Sequence, residues 1–186
     1  GVPADVTVEC SAIPAVPASS GAGAAITATD NCDTDVQISF VQTTTPNVDC
    51  PALTDIIRTW TATDDCGNTS SQSQLIHLID TTDPILAGVP ADVTVECSAI
   101  PAVPASSGAG AAITATDNCD TDVQISFVQT TTPNVDCPAL TDIIRTWTAT
   151  DDCGNTSSQS QLIHLIDTTD PILAGVPADI TVECSA

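Results

Sequence analysis

The stretch GVPADVTVECSA opens the chain at residues 1–12, returns unchanged at 88–99, and returns once more at 175–186 as GVPADITVECSA. The interval is 87 residues each time, and residues 1–87 and 88–174 are identical throughout, Ile180 alone replacing the residue found at Val6 and Val93. A repeat of this length exceeds the units of solenoid proteins and matches a small domain that folds by itself. The expected organisation is a repeat over 1–87, a second over 88–174, and the first strand of a third over 175–186. Inside the quoted stretch Val6, Val8 and Cys10 alternate with Thr7 and Glu9, the period of a half-buried strand.

The same period continues outward. Ile26 and Ala28 alternate with Thr27 and Thr29, Val36 and Ile38 precede Phe40 on one face, and Trp60 and Ala62 oppose Thr59, Thr61 and Thr63. A last strand is expected over 72–79. Between these runs lie turn clusters, DNCDTD at 30–35, DDCGN at 64–68 and DTTDP at 80–84, whose Asp, Asn, Gly and Pro residues favour turns. No window carries a 3.6-residue apolar period, and Thr, Val and Ile dominate. The segment IPAVPASSGAG at 13–23 holds too much Pro and Gly for a central strand and is expected at an edge or in a loop. Each repeat is thus read as all-β, an immunoglobulin-like antiparallel β-sandwich.

Composition narrows the function. Twenty-four acidic residues face two basic ones, Arg58 and Arg145, for a formal charge of −22. Nucleic acid is excluded as a partner, because neutralising phosphates needs clustered cations. No apolar run is long enough to span a membrane. His77 and His164 stand without a nucleophile or second His at catalytic spacing, and no phosphate loop or nucleophile elbow occurs, so no enzyme activity is expected. Trp60 and Trp147 are read as core anchors.

Nine cysteines resolve into four per repeat plus Cys184. An even set in a small repeat reads as two disulfides per repeat and an oxidising, extracellular compartment. Zinc is disfavoured, since no C-x-x-C pair occurs. In a sandwich the loops carrying Cys32 and Cys66 lie at one pole, and Cys10 and Cys50 lie at the other. The expected pairs are therefore Cys32 with Cys66 and Cys10 with Cys50, repeated as Cys119 with Cys153 and Cys97 with Cys137. Each would contribute roughly 3–4 kcal/mol by restricting the unfolded chain.

The runs RTWTATDDCGNTSS at 58–71, ATDNCD at 28–33 and DTTDPIL at 80–86 resemble the hyalin-type (HYR-like), immunoglobulin-like tandem repeats of large bacterial surface adhesins and extracellular filament proteins. The resemblance rests on Cys32, Trp60, Asp64, Cys66, Gly67, Asn68 and the Asp-Thr-Thr of 80–82. Asp83 departs from it, standing where the family's junction usually has a first Pro. What the resemblance implies is a sandwich fold, export to the cell surface, and a role in adhesion or in spacing an adhesive region. It implies no particular ligand.

Seven of the eleven acidic residues of a repeat fall in the three turn clusters. If successive repeats stack pole to pole, Asp80 and Asp83 approach Asp117, Asp120, Asp151 and Asp152, and these six are the candidate calcium ligands, because calcium takes six to eight oxygens in flexible geometry. The competing reading makes them turn formers bonded to their own backbone. Asn68 and Asn155 open N-x-S/T glycosylation signals, and the Thr81–Thr82 pair resembles an O-linked acceptor. Arg58 and Arg145 are expected to pair with a carboxylate such as Asp55 or Asp49.

The function expected from all this is a stalk or filament segment of an extracellular cell-surface adhesin. Its partners would be neighbouring repeats and other copies of the protein. Two alternatives are a subunit of a self-assembling filament joined by strand complementation, motivated by residues 175–186 and Cys184, and a glycan- or ice-binding module resting on the Thr-rich faces.

Overall fold

A computed structural model describes residues 1–20, 24–47, 50, 53–108, 111–133 and 140–184. Ten strands are assigned among them. Repeat 1 contains β1 (Val6–Glu9), β2 (Gln37–Pro46), β3 (Thr54–Thr63) and β4 (Thr69–Ile79); then come β5 (Ile85–Ala87), β6 (Val93–Glu96), β7 (Thr114–Thr116), β8 (Gln124–Pro133), β9 (Thr141–Thr150) and β10 (Thr156–Ile166). They form two four-stranded sheets, β1-β4-β3-β2 and β6-β10-β9-β8, and a two-stranded sheet, β5-β7.

The centre of each large sheet is a hairpin, in repeat 1 that of β3 and β4, which leaves off at Thr63 and restarts at Thr69 after DDCGN. Gly67 turns it, with φ +86°, and its N–H donates to the Asp64 carbonyl at 3.0 Å. Only glycine adopts that φ without strain. Along β3 the buried face carries Ile56, Arg58 and Trp60; along β4 it carries Gln74, Ile76 and Leu78. Phe40 on β2 leans over Trp60 with ring centroids 5.2 Å apart, a favourable tilted pair. On the outer face Thr59 bonds Ser73 and Thr61 bonds Ser71, at 2.9 and 2.8 Å. The Thr-rich face is therefore hydroxyl-paired within the sheet, as exposed cross-strand Thr and Ser commonly are.

Four features depart from the sequence reading. The first strand runs parallel to β4, Val6 opposite Ile76 and Glu9 opposite Ile79, whereas a wholly antiparallel arrangement was expected. The strand expected at 25–29 is absent in repeat 1 and present in repeat 2 as β7, because β7 needs a partner. That partner is β5, with Ile85 opposite Thr116 and Ala87 opposite Thr114. The linker residues Ile85–Ala87 thus belong to the second body, ahead of the boundary at Gly88 that the 87-residue period suggests. Residues 175–184 form no strand.

The small sheet closes the core of repeat 2. Leu86, Ile113, Trp147 and Ala149 pack together, with Val89, Ala115, Val123 and Ile125 against them. Gly88 permits the crossing: a Cβ there would lie 2.0 Å from the Ala112 carbonyl oxygen. A second cluster of Ile143, Ile163 and Leu165 lies under β6, and its repeat 1 counterpart is Ile56, Ile76 and Leu78 with Val6 and Val8.

Arg58 does not pair with Asp55, and Asp49, the other expected partner, lies outside the described residues. Its buried guanidinium donates to Gln42 Oε1 at 3.0 Å, to the Pro14 carbonyl at 2.8 Å and to the Ala15 carbonyl at 3.4 Å. Asp55 instead meets His77 Nδ1 at 2.6 Å on the open surface. The reason is register: Arg58 shares the inward face with Trp60, so its head meets the Pro-rich segment laid across the sheet. Arg145 repeats the clamp on Gln129, Pro101 and Ala102. Replacing both with Met, R58M/R145M, is expected to cost about 1–3 kcal/mol per repeat in urea melts, because buried carbonyls lose charged donors, and to open the Pro-rich segments to protease.

Candidate metal centre at the repeat junction

The two repeats meet pole to pole, and the cysteines show it. Cys10 is bonded to Cys119 and Cys50 to Cys153, with Cα atoms 5.9 and 4.8 Å apart. Both bonds join repeat 1 to repeat 2. The expected pairs Cys10–Cys50, Cys32–Cys66 and Cys119–Cys153 are therefore not formed, and Cys32 and Cys66 are exposed thiols. The pairing expected for Cys97 extends to Cys137, which lies outside the described residues; Cys97 itself carries no disulfide. The pole assignment survives the correction. Cys10 and Cys50 do share one end of the sandwich, but that end faces the other end of the next repeat, and cysteines brought together by stacking bond to each other.

Around these bonds carboxylates converge. β4 ends at Ile79 and delivers Asp80; β1 ends at Glu9; the turn after β7 supplies Asp117; and the hairpin between β9 and β10 supplies Asp151. One oxygen of Asp80 lies within 4.8 Å of one of Glu9, and likewise of one of Asp151. The same groups include the sulfurs of Cys119 and Cys153, which are tied up in disulfides and leave oxygen as the donor.

Asp80 is 7% exposed and Asp151 5% exposed. Asp151 is well satisfied: Oδ1 accepts from the N–H groups of Cys153 and Asn155, and Oδ2 from Asn155 Nδ2 at 2.8 Å. Asp117 Oδ1 accepts from the N–H groups of Cys119 and Asp120, but its Oδ2 is buried without a partner. Asp80 Oδ1 accepts from the Thr82 N–H at 3.2 Å, and its Oδ2 too is buried and unpaired. Glu9 accepts from Thr81 through both carboxylate oxygens. Burial pushes the Asp80 carboxyl above its ordinary range, and the charges of Asp117, Asp151 and Glu9 push it further the same way. In repeat 1 the Asp30 carboxyl is held below its ordinary range by backbone hydrogen bonds from Cys32 and Asp33, and that of Asp64 by Asn68.

Of the six acidic residues expected to meet, Asp80 and Asp151 bring carboxylate oxygens within 4.8 Å of each other, and Asp117 acts on Asp80 through its charge. Asp120 accepts from the Asp122 and Asp152 N–H groups and so braces its own loops, Asp152 is exposed, and Asp83 is exposed beside the buried Pro84. For Asp120 the turn-forming role prevails. Glu9 was missed because alternation placed it on the outward face of β1, where only a neighbouring repeat gives it company; its place next to Cys10 was the available signal.

Asn155 also donates to the Asp80 carbonyl at 3.3 Å, and Asn68 Nδ2 donates to Asp64 Oδ2 at 2.6 Å, so both glycosylation signals place their amides inside hairpin hydrogen bonds. Thr81 is spent on Glu9. The two tryptophans are buried anchors.

Residues 2–78 and 85–165 each match the family described as "HYR-like domain with 4 cysteines". The chain belongs to this family. The second match begins at residue 85, where β5 begins, in agreement with the shifted boundary of the second HYR-like repeat. No curated protein matches the chain. A solved structure titled "Protocadherin Gamma B7 extracellular cadherin domains 1-4" is similar to the HYR-like pair over 72% of this chain and 42% of that one, at 13% identity and a TM-score of 0.31. The chain thus spans under half the length of that protein. No helix among the described residues is long and apolar enough to cross a membrane.

Proposed function

We propose that this pair of HYR-like repeats is a spacer segment of an extracellular, adhesion-related array, in which each junction is closed by two inter-repeat disulfides and by one calcium ion held by Glu9, Asp80, Asp117 and Asp151. The observation that carries the cation is the buried Asp80 carboxylate, whose Oδ2 has no partner although three further carboxylates surround it. A buried charge is normally paired or bound to metal. Neither arginine can serve, since Arg58 and Arg145 are held at the Pro-rich segments. An oxygen-only, wholly anionic donor set suits a hard cation of flexible coordination. The disulfides support an oxidising compartment, where calcium is abundant.

Bound calcium would replace repulsion across the junction by attraction and hold successive repeats in one orientation. Length would then follow from copy number, at roughly 30–40 Å per sandwich from strand rise.

Calorimetry with and without chelator tests this directly. Calcium is expected to bind with Kd of about 10⁻⁴–10⁻³ M, as in extracellular modules, and to raise the melting temperature of the oxidised chain. The variant D80N should abolish that response and, with one buried like charge removed, melt higher than the unaltered chain in chelator. A melting temperature indifferent to calcium at several millimolar, roughly ten times that Kd, would remove the cation from the proposal.

A further inference from the structure

The two disulfides of the junction lie against its carboxylate cluster. One sulfur of each touches it: Cys119 Sγ lies within 4.8 Å of an oxygen of Glu9 and of Asp80, and Cys153 Sγ within 4.8 Å of an oxygen of Asp80 and of Asp151. The second sulfur of each bond belongs to Cys10 or to Cys50, and Cys50 is only 4% exposed. Asp80 thus stands between two sets of donors, each holding two sulfurs and one further carboxylate. Its Oδ2 is buried and has no partner.

What these donors can bind depends on whether the sulfurs are bonded to each other. A disulfide sulfur is a poor ligand, so the oxidised junction offers oxygen to a hard cation. A thiolate is a preferred ligand of zinc and its relatives, and four donors drawn from sulfur and oxygen suit their tetrahedral geometry. We infer that the junction, once its disulfides are reduced, is a site for thiophilic divalent cations, one held by Cys10, Cys119 and Glu9 and one by Cys50, Cys153 and Asp151, with Asp80 shared between them. The inference rests on the proposed junction, in which the same carboxylates take calcium, and it names the cation that replaces calcium in the reduced chain.

The lack of a C-x-x-C pair does not oppose such a site, because neither donor set comes from one turn. Glu9, Cys10 and Asp80 of repeat 1 meet Cys119 of repeat 2; Cys50 and Asp80 of repeat 1 meet Asp151 and Cys153 of repeat 2. Each cation therefore bridges the repeats and gathers the same two cysteines that a disulfide joins. Metal bound before oxidation would set Cys10 against Cys119 and not against Cys50, which is the choice that two identical repeats leave open.

The test uses the full chain carrying C32S, C66S, C97S, C137S and C184S, which keeps the four junction cysteines. A water-soluble phosphine reduces both bonds: for each disulfide, phosphorus gives up two electrons and takes the oxygen of one water, whose two protons end on the two thiols. After removal of the phosphine under argon, cobalt(II) is titrated as the probe, and its binding sends the thiol protons to solvent. Expected are thiolate-to-cobalt charge-transfer bands and tetrahedral ligand-field bands that saturate at about two ions per chain and are displaced by zinc. Sedimentation should return towards that of the oxidised chain. C119S should remove about half of the absorption, and D80N should weaken cobalt binding at least about tenfold. Near-UV circular dichroism follows the two Trp cores; a reduced chain that loses this signal must regain it with cobalt. Absence of tetrahedral bands, saturation at one ion, cobalt affinity unchanged in D80N, or a lost Trp signal that cobalt does not restore would each overturn the inference. Calcium binding is measured on the oxidised chain. A protein that takes calcium when oxidised but no cobalt when reduced loses this site and keeps the proposed junction.

Discussion

Reducing the chain is expected to uncouple its two repeats. Cys10–Cys119 and Cys50–Cys153 each span more than a hundred residues, with separations of 109 and 103. On the chain-entropy model one such loop is worth about 4.7 kcal/mol, more than the roughly 3–4 kcal/mol of a bond inside one repeat. The second bond closes a loop that overlaps the first and contributes less. Junction carboxylates then repel with only the linker between them. A non-reducing peptide map should join the VEC peptide to the DNCD peptide, and the NVDC peptide to the DDCGN peptide. Because the repeats are identical, C119S provides the positional check by freeing one thiol of the Cys10 type. A map joining VEC to NVDC, with neither linked to DNCD or DDCGN, would restore bonds within each repeat and sink the covalent junction.

The variant L86D is expected to unfold repeat 2 while sparing repeat 1. By the sequence period Leu86 is a linker residue at the end of repeat 1, yet its side chain is 4% exposed and packs on Trp147, Ile113 and Ala149. Truncating a buried Leu to Ala costs about 2–5 kcal/mol, and a buried unpaired carboxylate costs more. Net stability of a small domain is only about 5–15 kcal/mol. With W60F as background, Trp147 is the sole indole, and its emission should shift to the red at lower urea in L86D. With W147F as background, the Trp60 transition should stay where it was. Loss of both transitions together would mean that the repeats fold as one unit.

Much of this was legible in the sequence, for reasons that can be named. Alternation at 56–63 put Trp60 inward because a strand's side chains point to opposite faces by geometry alone. The turn at Gly67 followed from DDCGN, and the shared pole of Cys10 and Cys50 from counting strands. Asp80, Asp117 and Asp151 were named as a meeting point, since turn clusters gather at poles. Glu9, the parallel course of β1 and the clamp from Arg58 onto Pro14 were not legible, since each depends on which element lies across the sheet. The linker triplet Ile85–Ala87 was too short to stand out as a strand.

The sequence by itself determined the two-body plan, the all-β character, the Trp-centred cores and the acidic turns, because these depend on local propensity and a period of two. Only the tertiary structure decided to whom each element belongs: β5 to the second body, Cys119 to Cys10, Cys153 to Cys50, and Asp80 to a shared cluster. Two identical repeats offer every cysteine and every strand two chemically equivalent partners, one in its own repeat and one in the next. Composition cannot break that tie, and spatial stacking does.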